Sequence, residues 1–158
     1  MFLLPQLEQP AIYDGVNPTS RPLADAADAL ARGGDAELEV FRCPSFDGPP
    51  QLPDGLGRSN TLASSDVFSR KTKLTQIRDG MSTTVAVGET VRDQAWVLPG
   101  TGSGTTPPNR NADFGSGHGQ VTHFLFCDGS VRPIPDSIPA ATFQALFTVS
   151  GQEAVGDF

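Results

Sequence analysis

Apolar positions come in short runs along this chain, broken repeatedly by glycine and proline. Phe2, Leu3, Leu4, Leu7 and Ile12 suit a short N-terminal helix, with Pro5 tolerable only in its first turn. Pro22 fits a first helical position, Leu23, Ala26, Ala27 and Leu30 form one stripe, and Gly33-Gly34 is a stop. The expected helix therefore covers 22–32. Residues 38–43 alternate, predicting a short strand ended by Pro44, and 45–57 read as irregular loop. Strands are expected over 58–64 and over the β-branched run 83–91, with Val85 and Val87 on one face and Ala86, Gly88 and Thr90 on the other. Trp96-Val-Leu extends that sheet, and 100–111 is a flexible excursion over the surface.

The strongest local pattern lies further on. Residues 122–127 and 130–134 are apolar runs separated by Asp128-Gly129, a pair suited to a two-residue type I′ turn with positive φ at both positions. This predicts a β-hairpin with Phe124 and Phe126 on one face and His123, Leu125 and Cys127 on the other, both faces covered. Pro133 places the second strand at an edge. Residues 139–149 read as a helix burying Phe143, Leu146 and Phe147, ended by Gly151. The expected fold is α+β and loop-rich: an antiparallel sheet with a C-terminal β-hairpin, packed by two or three short helices.

Composition narrows this further. The 158 residues fit a single globular domain, 1–158, and 17 glycines with 14 prolines leave too few uninterrupted windows for a helical bundle. A net charge of -7 argues against nonspecific nucleic-acid binding, which needs clustered cations. Residues 1–57 hold nine acids against three bases, a pattern read as a solvated acidic face. No apolar run approaches the roughly 18 residues of a membrane span, and no secretory signal is present, so a soluble chain is expected.

Candidate chemistry is sparse. No Gly-x-Ser-x-Gly elbow exists, but Ser116 lies two residues before His118 in a glycine-rich loop, so a Ser/His hydrolase is one alternative. A glycosidase would need two carboxylates across a cleft, for which Glu89 and Asp128 are the candidates; a turn explains Asp128 completely and a strand end explains Glu89, and this plainer reading is preferred. His118 and Asp128, with Asp113 five residues before His118, could ligate a divalent cation such as calcium, though no known ligand spacing is matched and no cofactor is required. The competing reading makes His118 a loop residue bonded to backbone and His123 a half-buried strand residue. Cys43 and Cys127 permit either one long-range disulfide or buried thiols. Trp96 and Tyr13 could stack sugars in a carbohydrate-binding module, against a core role for Trp96.

Several short blocks, in order, resemble one family. These are Phe2–Gln9, Phe41-Arg-Cys-Pro-Ser, Ile77–Glu89, Phe114-Gly-Ser-Gly-His118, His118 followed after nine residues by Asp128-Gly129, and Ser150–Asp157. Together they resemble the bacterial prepilin-type, processing-associated family of unknown function, of the planctomycete type. The resemblance implies a pseudopilin-like α+β head carried in the cell envelope or outside the cell, with other pilin-like subunits, envelope proteins or glycans as partners. It brings no established activity. The long apolar pilin helix of such proteins is absent here, so the sequence is expected to be the head alone, either trimmed or begun inside a longer reading frame. The leading expectation is a non-enzymatic secretion- or surface-associated subunit; the alternatives are a small hydrolase acting on glycosides or esters and a carbohydrate-binding module.

Overall fold

The computed structural model describes residues 3–69, 72–153 and 155–156. Of the residues read above, Phe2, Ala154 and Asp157 lie outside the described set. Contacts divide the chain into two compact units: Met1–Asn60 with Asp93–Gly100, and Thr61–Arg92 with Thr101–Phe158. No helix among the described residues is long and apolar enough to cross a membrane.

The first unit is built from short helices around an apolar cluster. A 3-10 turn over Leu4–Leu7, with proline in its first turn, leads to α1 (Pro10–Val16), again opened by proline, and then to α2 (Ala26–Ala31). Proline suits these starts because its missing N–H would lack a helical partner anyway. The second helix begins later than its apolar stripe suggested, because Asp25 caps it by accepting the Asp28 N–H at 2.8 Å. Asp28 in turn accepts from the Arg21 guanidinium at 2.5 and 2.8 Å and from the Ala24 N–H. These bonds hold its carboxyl down to about 2.

Leu4, Val16, Ala29, Leu38, Leu56, Ala95, Trp96 and Val97 form the buried core of this unit. The strand expected over 38–43 is instead a 3-10 turn, Glu39–Phe41. The apolar residues of this stretch do not share a strand face: Leu38 is buried in the core, Phe41 packs partly buried against it, and Val40 stays 55% exposed. Trp96 does not extend the sheet either. Ala95 makes only an isolated bridge to Arg58, and the indole N–H donates to the Ala36 carbonyl at 2.8 Å. Arg58 is the buried cation of this unit, paired with Asp93 at 2.8 Å and lying over the Phe46 ring.

The second unit carries the sheet. Its elements are β1 (Thr61–Ser64), α3 (Ser65–Phe68), β2 (Val85–Glu89), β3 (Thr101–Gly102), β4 (Val121–Phe126), β5 (Val131–Pro135) and α4 (Ala140–Ala145). The strand order is β3-β1-β2-β4-β5, antiparallel throughout except for the β3–β1 pair. The segment 100–111, expected as an excursion, thus begins with an edge strand in register with Ala63 and Ser64. On one face Leu62, Val85, Phe124, Phe126 and Ile134 pack with Phe114, Ile138, Phe143, Leu146 and Phe147. The α+β class and the hairpin are as the sequence predicts; the C-terminal helix forms but ends at Ala145, short of the expected 139–149, and Leu146 and Phe147 are buried in the turn just beyond it. The second hairpin face is not covered: Leu125 is 36% and Val131 63% exposed.

The hairpin turn differs in kind. The Gly129 N–H donates to the Phe126 carbonyl and the Phe126 N–H to the Ser130 carbonyl, with positive φ at Gly129 but not at Asp128. This is a three-residue connection with a glycine bulge rather than a two-residue type I′ turn. Asp128 can then use its side chain, accepting from the Ser130 N–H and hydroxyl at 2.8 and 2.7 Å. The register from Phe126–Ser130 to the Asp136 N–H bonded to the Gln120 carbonyl turns positions 131, 133 and 135 of β5 outward. Two of these are prolines, so the free edge offers a single outward N–H, from Val131, and is blunted against strand addition.

Asp79 organises the C-terminal segment. Its carboxylate lies 2.8 Å from the Thr148 hydroxyl and accepts the Gly151 and Gln152 N–H groups at 2.8 and 2.7 Å. Burial raises its pKa, but these bonds outweigh burial and the net shift is downward. A depressed carboxyl contributes stability that is present above its unfolded value near ~3.9 and lost as pH falls through the lower folded value. Asp79→Asn is therefore expected to lower stability at pH 7 by about 1 kcal/mol, discounted for partial exposure, and to flatten the acid limb. Urea titrations from pH 2 to pH 7 check this; an unchanged acid limb would contradict it.

Candidate functional site

The polar centre of the second unit is Glu89 with His118 and His123. A bulge puts them together. Val85 pairs with Phe126 but Val87 pairs with Leu125, so two residues of β2 oppose one of β4 around Ala86. Beyond the bulge, Gly88 faces the core opposite Phe124, while Val87 and Glu89 turn to the outer face with Leu125 and His123. The expected shared facing of Val85 and Val87 is thereby corrected: a one-residue slip flips every later side chain. Gly88 is required at this spot, since a Cβ there would stand 2.5 Å from the Phe124 ring.

His118 arrives from the loop before β4. The Ser116 hydroxyl donates to the Val121 carbonyl at 2.6 Å and its oxygen accepts the His118 N–H, while the Ser116 N–H donates to Asn109 Oδ1. Gly119 and Gln120 both adopt left-handed φ, which turns the chain back into the strand. The Gly115 N–H donates to the Glu89 carbonyl, fastening the loop to the end of β2.

Glu89 then bridges the two rings. Oε1 is 3.0 Å from His118 Nε2; Oε2 is 3.2 Å from His123 Nδ1 and accepts the His123 backbone N–H at 2.7 Å. The rings meet edge to face with centroids 5.1 Å apart. An ionised carboxylate only accepts, so the bonds assign N–H to Nε2 of His118 and to Nδ1 of His123. The Glu89 side chain is 17% exposed and both its oxygens are engaged.

The other predicted site residues are dispersed. Asp128 closes the hairpin. Its bonds to Ser130, with the nearby Arg132 charge, keep its carboxyl below the usual range, against a general-acid role. It lies five residues along the chain from His123, roughly 15 Å of extended strand, beyond the spacing of a glycosidase pair. Asp113 pairs with Arg92 and accepts from the Ser103 N–H and hydroxyl. The ligand set His118, Asp113 and Asp128 therefore does not converge among the described residues. Ser116 donates to a carbonyl rather than to an imidazole, so the Ser/His pair is not assembled.

Cys43 and Cys127 are not joined in a disulfide. Burial, and then the Asp128 charge, push the Cys127 thiol up and away from reactivity. Trp96 is 8% exposed and Tyr13 packs on the same core, so the expected stacking platforms are core residues. The pairing of Glu89 with His123 was missing from the sequence reading. Alternation assigns Glu89 to the Val85 face, and no spacing rule reveals a bulge at Ala86.

Residues 97–141 match the model of a family described as a protein of unknown function (DUF1559). That family is associated with proteins carrying a prepilin-type N-terminus. No curated protein and no solved structure matches the chain. The DUF1559 match covers Asp113, the loop bearing Ser116 and His118, the β4–β5 hairpin and the start of α4, while Glu89 lies outside it.

Proposed function

We propose that this chain is the head of a pilin-like envelope subunit that works by binding other subunits or surface partners, not by catalysis. The observation that carries the reading is the internal engagement of Glu89, whose two oxygens receive both imidazoles and the His123 N–H. A carboxylate so engaged uses three of its roughly four acceptor positions within the protein and holds the 115–120 loop and β4 to the end of β2, which supports a bracing role. Ser116, Asp113 and Asp128 are likewise bonded to nearby loop and turn groups. The DUF1559 match, through its prepilin association, supports the envelope location and pilin-like partners.

The test is a panel of glycoside and ester substrates with the purified chain, Glu89→Gln and His118→Ala. No turnover is expected from any of the three. Turnover by the parent that either variant abolishes while its circular dichroism is unchanged would overturn the reading in favour of a hydrolase.

A further inference from the structure

The second unit holds a cleft of about 370 Å³ away from the Glu89 cluster, lined by Thr72, Thr75, Gln76, Arg78, Val149 and Ser150. Two chain segments form its walls. The Arg78 N–H donates to the Val149 carbonyl at 2.6 Å, and the Asp79 carboxylate fixes the chain just beyond Ser150 through the Gly151 and Gln152 N–H groups. The cleft is therefore shaped by hydrogen bonds that do not use the side chains facing it.

Those side chains are donors. Gln76 Oε1 accepts the Lys73 N–H, which leaves its amide NH2 to give. Arg78, Thr75 and Ser150 make no side-chain hydrogen bond or ion pair among the described residues, and each is exposed. The Thr72 hydroxyl is directed to the Asp66 carbonyl. Among the described residues no carboxylate lines the cleft. Asp79, next to Arg78 in sequence, directs its oxygens to Thr148 and to the backbone at 151 and 152. Among the described residues, a guanidinium, two hydroxyls and an amide NH2 surround one space in a chain of net charge -7.

We infer that this cleft is an oxyanion site: Arg78 supplies the charge and Thr75, Gln76 and Ser150 the neutral donors for a carboxylate or sulfate group borne on a sugar residue. The guanidinium fork matches such planar or tetrahedral oxygens in two-point contact. The sugar-sized ligand follows from volume, since about 370 Å³ sits at the small-molecule end of ligand clefts, roughly 300–1,000 Å³, and exceeds what a bare ion fills. Val149 and the two threonines are the lining residues that carry apolar groups. The inference stands on the cleft alone and does not depend on the pilin-like reading.

The test is an NMR titration of the full chain with sodium glucuronate, sodium sulfate and glucose, for the parent, Arg78→Gln and Arg110→Gln. Glucuronate is expected to shift amides of 72–78 and 149–151, to bind at least about tenfold more weakly to Arg78→Gln, and to weaken with added NaCl. Arg110→Gln removes the same charge from an exposed position outside the cleft and is expected to bind as the parent does. Glucuronate tighter than sulfate assigns a sugar acid; equal affinities assign a free oxyanion and overturn the sugar. Equal binding of glucose, equal losses in both variants, or no shift at 72–78 would overturn the site itself.

Discussion

Replacing Phe124 by alanine is expected to lower the stability of the sheet unit by about 3–5 kcal/mol, the largest effect of any single substitution considered. The ring is fully buried and central among the aromatics. It lies 5.5 Å from Phe114, 5.7 Å from Phe143 and 6.1 Å from Phe147, at steep interplanar angles that favour edge-to-face contact. It also packs against Gly88, so its removal opens a void reaching from α4 to β2 that the backbone cannot close. Phe124→Leu, which keeps most of the volume, should lose about half as much. Urea unfolding followed by amide signals of 121–126 measures both. A loss below about 1 kcal/mol for the alanine variant would mean that this cluster is not the core of the unit.

Glu89→Ala comes second, at about 2–3 kcal/mol, because it strands three donors at once. His118 loses its contact with Glu89 Oε1, His123 loses a ring contact, and the His123 N–H loses its Glu89 acceptor. Hydrogen exchange is the sharper readout. The amides of His118 and His123 should exchange about 25- to 150-fold faster, while those of Phe126 and Ile134 should change much less. Glu89→Gln can still accept the His123 N–H through one oxygen, so it should fall between the two. Exchange at 118–123 indistinguishable from the parent would contradict the bracing role assigned to Glu89.

These expectations differ in how far they could be read from the chain. Phe124 was legible: alternation around 122–127 put it with Phe126 on an inward face, and burial agrees. The C-terminal helix was legible from the spacing of Phe143, Leu146 and Phe147, although only Phe143 lies within it, and Pro133 marked the edge strand. Glu89 was visible as a carboxylate but not as a bridge, because its direction depends on the bulge at Ala86. The 3-10 turn at Glu39–Phe41 shows the converse error, since apolar and polar residues alternating over six positions mimic a strand although only Leu38 and Phe41 reach the core. The cleft at Arg78 had no signal, because its walls are separated by some seventy residues.

By itself the sequence determined what depends on local steric and solvent preferences: the α+β class, the Asp-Gly hairpin, the N-terminal turn with proline in its first turn and the shared face of Phe124 and Phe126. Those are short-range consequences of side-chain period and of backbone angles that proline and glycine impose. Only the tertiary structure decided which polar groups meet. Side-chain direction beyond a bulge, and contacts between residues 29 to 34 positions apart such as Glu89 with His118 and His123, are set by strand register and loop packing. No pattern within a single segment encodes those, because each requires two segments to have already chosen their alignment.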